Sequence, residues 1–124
     1  MRILCVDPDP RGLAGLRSHM ARLAPAAEVI CCRTPAEAVR AAEEGHCDVL
    51  LTEIDLESPR ADGFLLAGQI AAMHPRVNII FVSDRMDDAT ALRALELHAS
   101  GFVQKPCEPQ KLAEELNNLR YQAM

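Results

Sequence analysis

The chain has 124 residues, of which 49% are hydrophobic and 25% charged, which is the composition of one ordinary globular domain. This composition excludes a disordered tail, a collagen-like chain and a coiled-coil rod. Asp and Glu number 18 against 13 Lys and Arg, so the formal net charge is -5. Because an acidic domain has no surplus of positive charge to neutralise phosphates, we expect no direct nucleic-acid contact.

The first third of the chain predicts a strand, a helix and a second strand. Residues 3–6 are a short apolar run bounded by turn residues, which predicts a buried strand. Apolar residues at helical spacing predict an amphipathic helix over 12–23, with Pro10 in its first turn and Pro25 beyond its end. Residues 28–32 predict the second strand.

The next helix has strong signals at both ends. Thr34 is a predicted N-cap, Pro35 opens the helix, and Glu37 lies three residues after the cap, as in a capping box. Gly45 is the predicted C-cap. The apolar run 48–52 then predicts the third strand.

The second half of the chain continues the alternation of strands and helices. The predictions in chain order are a loop at 57–63, a helix at 64–74, a strand at 78–82, a helix at 87–99 that Gly101 ends, a strand at 102–103 and a helix at 109–121. The last helix has Leu112, Leu116 and Leu119 on one face.

The predicted helix at 87–99 has apolar residues on two sides. Leu92, Leu95 and Ala99 form the stripe that we expect to face the core. Ala94 and Leu97 lie nearly opposite, and Leu97 is a candidate for contact with a partner.

Five strands that alternate with five helices predict a single α/β domain over 1–124. The strands are apolar throughout, which indicates a parallel sheet with helices on both faces. In such sheets the functional site lies at the carboxyl ends of the strands.

Polar residues follow four of the five predicted strands. They are Asp7 and Asp9 after the first strand, Glu53 and Asp55 after the third, Ser83 after the fourth, and Lys105 with Pro106 after the fifth. Carboxylates, a hydroxyl and a lysine that meet at one sheet edge are typical of a site for a hard cation or a phosphoryl group.

Four segments in order resemble the receiver domain of bacterial two-component response regulators, the CheY-like superfamily. They are ILCVDPDP at 3–10, DVLLTEIDL at 48–56 with DGFLL at 62–66, NIIFVSD at 78–84, and ASGFVQKP at 99–106. The resemblance implies a flavodoxin-like, doubly wound sheet with strand order 2-1-3-4-5.

The resemblance also implies roles for individual residues. In the family, an acidic pair holds Mg²⁺, an Asp accepts a phosphoryl group from a histidine kinase, and a Ser or Thr and a Lys bind that group. Asp7 matches the first acid, Ser83 the hydroxyl and Lys105 the lysine. Phe102 matches an aromatic residue that rotates inward, and the bond from Lys105 to Pro106 is often cis in the family.

Two positions depart from the family pattern. Pro8 falls where the second acid belongs and has no side-chain oxygen, so we expect Mg²⁺ binding through Asp7, Glu53 and Asp55 to be weak or absent. Glu53 falls at the phosphoacceptor position, where one extra methylene shifts the carboxylate by roughly an ångström. We expect no resident cofactor.

These departures predict an atypical pseudo-receiver that signals through protein contacts and is not an enzyme. In this hypothesis Glu53 is a permanent carboxylate paired with Lys105, and the alternative is that Glu53 marks a decayed site without a signalling role. A phosphorylatable receiver that uses Glu53 or Asp55 remains open as a second function. A nucleotide- or flavin-binding enzyme of the same fold is remote, because DPDPRG after the first strand is acidic and would repel phosphate.

The resemblance implies protein partners, namely an output domain and a histidine kinase. It also implies a homodimer contact through the face formed by 87–99, 101–103 and 109–121. The chain is either a free-standing receiver or the N-terminal part of a longer regulator.

The five cysteines point to a reducing compartment. No two of them have the C-x-x-C spacing of a zinc or redox site, and Cys5, Cys31 and Cys47 lie in apolar runs. We therefore expect reduced thiols, as in cytoplasmic proteins. The start of the chain does not match a signal peptide, and no apolar run reaches the roughly 20 residues of a membrane helix.

Overall fold

The computed structural model describes residues 1–85 and 87–121, and in these residues five strands alternate with five helices. The strands are β1 (Arg2–Val6), β2 (Glu28–Cys32), β3 (Val49–Thr52), β4 (Asn78–Ser83) and β5 (Gly101–Gln104). The helices are α1 (Pro10–Leu23), α2 (Pro35–Glu44), α3 (Gly63–Met73), α4 (Asp88–Glu96) and α5 (Pro109–Asn117).

The strands form one parallel sheet in the order β2-β1-β3-β4-β5, which confirms the predicted fold class. Every residue of β1, β3 and β4 is buried, whereas β2 and β5 are partly exposed. This difference follows from position, because β2 and β5 lie at the two edges of the sheet.

Two apolar cores lie on opposite faces of the sheet. Helices α1 and α5 cover one face with Leu13, Leu16, Met20 and Leu112. Helices α2, α3 and α4 cover the other, and this second core includes Phe64 and Phe81, whose ring centroids are 5.0 Å apart. The central strands are therefore apolar throughout because both of their faces pack against helices.

The two predicted caps of α2 are present, but the Glu37 side chain accepts from the Arg33 N–H and not from the Thr34 N–H of a capping box. The Glu37 backbone N–H donates to Thr34 Oγ1 at 3.2 Å, and Gly45 is the C-cap. Asp9, Asp62 and Asp87 cap α1, α3 and α4 in the same way. Four helices thus begin at a side chain that accepts one of their free N–H groups.

The predicted core stripe of α4 is wrong at Leu92 and Leu95 and confirmed at Ala99. Leu92 and Leu95 are 59% and 71% exposed, whereas Ala94 and Thr90 are buried. Leu97 and Ala99 pack against the core. The helix carries apolar residues on both sides, so spacing alone does not specify which side meets the sheet, and the structure buries the small side chains.

Two predicted helices end earlier than expected. Helix α4 ends at Glu96, His98 takes a left-handed conformation with φ 56°, and Gly101 is the first residue of β5 rather than a helix terminator. Helix α5 ends at Asn117 instead of residue 121. The backbone of Tyr121 exchanges two hydrogen bonds with the Asn78 side chain, at 2.7 and 2.8 Å, which draws the chain away from a helical path.

Candidate functional site

A lysine joins two carboxylates at the carboxyl edge of the sheet. Lys105 Nζ lies 2.9 Å from Asp7 Oδ2 and 2.9 Å from Glu53 Oε1. Asp7 follows β1, Glu53 follows β3 and Lys105 follows β5, so the three side chains come from three strand ends. The contact between Glu53 and Lys105 that the sequence predicts is present. We call Asp7, Glu53 and Lys105 the ion-pair cluster.

Backbone N–H groups hold the remaining oxygens of the two acids. Glu53 Oε2 accepts from the N–H of Ile54 and, at 3.4 Å, from that of Asp55. Asp7 Oδ1 accepts from the N–H of Asp9 at 2.9 Å. Each of the four carboxylate oxygens in the cluster therefore has a hydrogen-bond donor.

The charges of the ion-pair cluster interact strongly because both acids are buried. Asp7 is 2% exposed and Glu53 is 8% exposed. Burial lowers the pKa of Lys105, but the hydrogen bonds from its ammonium to Asp7 and Glu53 outweigh burial and raise that pKa above its ordinary value. Lys105 is therefore a permanent cation between two acids, and the cluster has one more negative charge than positive.

Ser83 lies beside the cluster, held by the backbone. Its side chain is buried, and Ser83 Oγ accepts from the Arg85 N–H at 3.2 Å. The Ser83 carbonyl accepts from the Lys105 N–H at 2.9 Å, which ties the end of β5 to the end of β4. The peptide bond from Lys105 to Pro106 is cis, as the resemblance implies.

The other two predicted acids have their own local roles. Asp9 caps α1 by accepting from the Arg11 N–H at 3.0 Å. Asp55 Oδ1 accepts from the Glu57 N–H at 3.1 Å. Both line the rim of the site, and neither forms an ion pair with Lys105 in the part of the chain that the structure describes.

The predicted site residues divide between three clefts. A cleft of about 230 Å³ over the strand ends is lined by Asp7, Pro8, Asp9, Glu53, Asp55, Glu57, Ser83, Asp84, Arg85 and Lys105. Phe102 is half-buried in a separate cleft of about 370 Å³ between α4 and β5. Pro106 lines a third cleft beside α1, to which Asp7, Asp9 and Lys105 also contribute. The structure therefore brings together all the predicted polar residues with Pro106 beside them, whereas Phe102 lies apart.

Two features of the site bear on the magnesium ion that the resemblance implies. Pro8 offers no side-chain oxygen, and Lys105 already holds one oxygen of Asp7 and one of Glu53. Among residues 1–85 and 87–121, no group of three or more His, Cys, Asp or Glu side chains is placed to hold a metal ion.

Two glycines outside the predicted site allow its acids to approach the helices closely. A Cβ atom on Gly12 would collide with the Asp7 carboxylate, and one on Gly63 would collide with the Glu53 carbonyl oxygen. Gly63 also donates its N–H to the Ile54 carbonyl at 2.7 Å. A glycine in the first turn of a helix beside an acidic strand end was the available signal, because a close backbone approach requires the absence of Cβ.

Comparison with known proteins identifies the class that this fold and site define. The model of the response regulator receiver domain matches residues 3–117, so the chain belongs to that family of two-component systems. No helix in the described residues has the length and apolar character needed to cross a bilayer.

Among curated relatives, the transcriptional regulatory protein BtsR of Salmonella typhi is 30% identical over 120 residues, covering 97% of this chain and 48% of BtsR. The transcriptional regulatory protein CreB of Escherichia coli K12 is 31% identical over 72 residues, which are 58% of this chain and 31% of CreB. The chain thus spans about half the length of BtsR and matches a smaller part of CreB.

Solved structures share the fold. The receiver domain protein of Methanospirillum hungatei has a TM-score of 0.82 at 24% identity, covering 94% of this chain and 90% of that one. RcsB of Salmonella enterica serovar Typhimurium, solved on promoter rprA, has a TM-score of 0.83 at 23% identity, covering 97% of this chain and 68% of RcsB.

Proposed function

We propose that this receiver domain is a pseudo-receiver, which transmits its signal through protein contacts without phosphorylation of an Asp. The observation that carries the proposal is the double ion pair of Lys105 with Asp7 and Glu53, at 2.9 Å each. The lysine that binds a phosphoryl group in receivers is here occupied by the protein's own carboxylates.

The length of Glu53 supports this proposal. Its extra methylene carries one oxygen to Lys105, while the other accepts backbone N–H groups of the loop that follows β3. A nucleophile held by donors at both oxygens is poorly placed for in-line attack on a phosphoryl group, a reaction in which catalysis is mostly positioning. Glu53 carries one negative charge, whereas a phosphoryl group carries about two. We therefore propose that the cluster mimics the activated state only in part.

The proposed domain works without Mg²⁺. Pro8 removes one carboxylate from the acidic pair, and the ammonium of Lys105 supplies a positive charge to the remaining acid, Asp7. The five free cysteines are consistent with a cytoplasmic location, where two-component regulators meet their partners.

The proposed contact surface for partners is the face made by α4, β5 and α5. The candidate contact residues of this face differ from the one that the sequence indicates. Leu97 packs against the core, whereas Leu92 and Leu95 are exposed. An output domain, a histidine kinase or a second copy of the chain are the candidate partners.

Intact mass after incubation with acetyl phosphate and Mg²⁺ tests the proposal. The parent chain should remain unmodified, because Glu53 is engaged and Pro8 cannot bind metal. The same treatment is applied to Glu53→Asp, Pro8→Asp and the double variant. The double variant should gain one phosphoryl group, since it restores both the acceptor and the acidic pair.

Glu57→Asp is the matched control, because Glu57 is an exposed acid at the rim of the same cleft. It should stay unmodified like the parent. Incorporation of one phosphoryl group into the parent would contradict the proposal and favour a phosphorylatable receiver. Mapping the modified peptide would then distinguish Glu53 from Asp55.

A further inference from the structure

Two cysteines face each other across the first pair of strands. In the parallel register of β1 and β2, Cys5 is the direct partner of Cys31. Both side chains lie on the sheet face that α1 and α5 cover. Neighbouring strands are about 4.8 Å apart, which lies within the range of Cα separations that a disulfide spans.

The two thiols differ in access and in electrostatic surroundings. Cys5 is fully buried, whereas Cys31 lies on the edge strand and is partly exposed. The hydrogen bond from Cys5 lowers the pKa of the Cys31 thiol, burial opposes this, and the nearby Arg17 guanidinium lowers it further, so that the pKa falls to about 6. A partly exposed thiol beside a cation is the environment of a reactive cysteine.

We propose that Cys31 is a site of oxidative modification, with a hydroperoxide as the oxidant and Cys5 as the resolving thiol. The Cys31 thiolate attacks the peroxide oxygen, which gives a sulfenic acid on Cys31 and releases hydroxide or alkoxide as the O–O bond breaks. The Cys5 thiol then attacks the Cys31 sulfur, which forms the disulfide and releases water. The two cysteines are oxidised by two electrons in total and the peroxide is reduced.

The remaining cysteines provide internal comparisons. Cys107 is partly exposed like Cys31, but burial raises its pKa, and the charge of Lys105 opposes this rise only in part. Cys32 is adjacent in sequence, yet it packs into the core on the other face of the sheet, where burial raises its pKa to about 11. Cys47 is buried, which raises its pKa to about 12, so the reactivity that we propose belongs to Cys31 alone.

Alkylation of the 124-residue chain by iodoacetamide at about pH 6 tests the reactive thiol. Peptide mapping should show Cys31 labelled on the order of tenfold faster than Cys107, since its larger thiolate fraction outweighs its lower intrinsic nucleophilicity. Arg17→Gln should slow the labelling of Cys31 several-fold and leave Cys107 unchanged, and Arg17→Lys should restore most of the rate. Equal rates for Cys31 and Cys107 would overturn the proposal.

Treatment with one equivalent of hydrogen peroxide tests the resolving thiol. The chain should lose about 2 Da, and a peptide containing Cys5 should become linked to the peptide containing Cys31. Cys32→Ser should retain the link, whereas Cys31→Ser should abolish it. Cys5→Ala removes the resolving thiol and also the largest cause of the lowered Cys31 pKa, so the sulfenic acid on Cys31 should form more slowly but persist, and a dimedone probe should trap it there. A disulfide between two chains, or one through Cys32 or Cys107, would overturn the assignment of Cys5.

Discussion

The ion-pair cluster and the outer face of α4 are two regions of the same domain with opposite patterns of burial. Charged side chains are buried in the first, and apolar side chains are exposed on the second. In the cluster, nearly buried charges from three strand ends satisfy one another. On α4, two leucines remain in solvent while Ala94 and Thr90 meet the core. Burial therefore follows the partners that the tertiary structure supplies rather than the polarity of the side chain. The cluster should be sensitive to single substitutions, and the α4 face should tolerate them.

The largest effect is expected from Lys105→Met. Removal of the ammonium leaves two nearly buried carboxylates without their cation, so the free energy of unfolding at neutral pH should fall by about 3 kcal/mol. Urea denaturation followed by circular dichroism measures this. Lys111, the other lysine of the chain, is exposed on α5, and Lys111→Met should change stability by less than about 0.5 kcal/mol. Equal effects of the two substitutions would contradict a structural role for the cluster.

The same variants predict a difference at alkaline pH. The pKa of Lys105 is raised on folding, so its contribution is complete below its ordinary pKa of 10.5 and is lost as the pH rises through the raised value. The parent chain and Lys111→Met should share this loss of stability above about pH 10.5. Lys105→Met should lack it, which a series of urea titrations across that range would detect.

Gly63→Ala should cause the next largest loss in the free energy of unfolding. The new Cβ meets the backbone of Glu53 and Ile54, which cannot move without disturbing the loop after β3, so we expect a loss of about 2 kcal/mol. Gly68→Ala in the same helix is the control, because a Cβ there meets no atom within 4 Å. It should be neutral or stabilise the domain by up to about 1 kcal/mol. Thermal unfolding of both variants separates close approach from helix propensity.

Glu53→Gln should lower the free energy of unfolding moderately. The amide keeps the length of the side chain but removes one charge, and Lys105 retains Asp7 as a partner, so we expect a loss of about 1 kcal/mol. Glu57→Gln, at an exposed position of the adjoining loop, should be neutral. No loss in Glu53→Gln would mean that the pair of Lys105 with Asp7 alone stabilises the cluster.

The smallest effect is expected on α4. Leu95→Ala should change the free energy of unfolding by no more than about 0.5 kcal/mol, because the side chain is 71% exposed. Leu66→Ala in α3 removes a fully buried leucine and should cost about 2–5 kcal/mol. Chemical denaturation of the pair provides the measurement. A loss above about 1 kcal/mol for Leu95→Ala would show that α4 packs its leucine stripe inward after all.

Different parts of the fold were predictable to different degrees. The strand 28–32 agrees with β2 at both ends, and the cap at Thr34 is present, because strand runs and caps depend on residues close in sequence. The carboxyl-terminal ends of α4 and α5 were not predictable from the sequence, because they depend on residues that are distant along the chain. The Asn78 side chain that binds Tyr121 lies 43 residues away along the chain.

The candidate site shows the same division. The sequence predicted that Asp7, Glu53 and Lys105 would meet, since parallel strands place their carboxyl ends at one edge. It did not predict that one ammonium would bind both acids, or that Gly12 and Gly63 would have to lack a Cβ. These features depend on small differences in the distances between atoms of separate elements. No local sequence pattern encodes such distances.

The sequence by itself determined the alternation of strands and helices, the parallel sheet and the polar residues at its edge, because apolar periodicity, capping and strand direction are local or topological. The tertiary structure alone decided which face of α4 is buried, how Lys105 shares its charge, and that Cys31 lies opposite Cys5. Each of these depends on the packing and register of elements far apart in the chain. A side chain's environment is set by neighbours that the fold brings to it, and these neighbours exist only after the sheet has assembled.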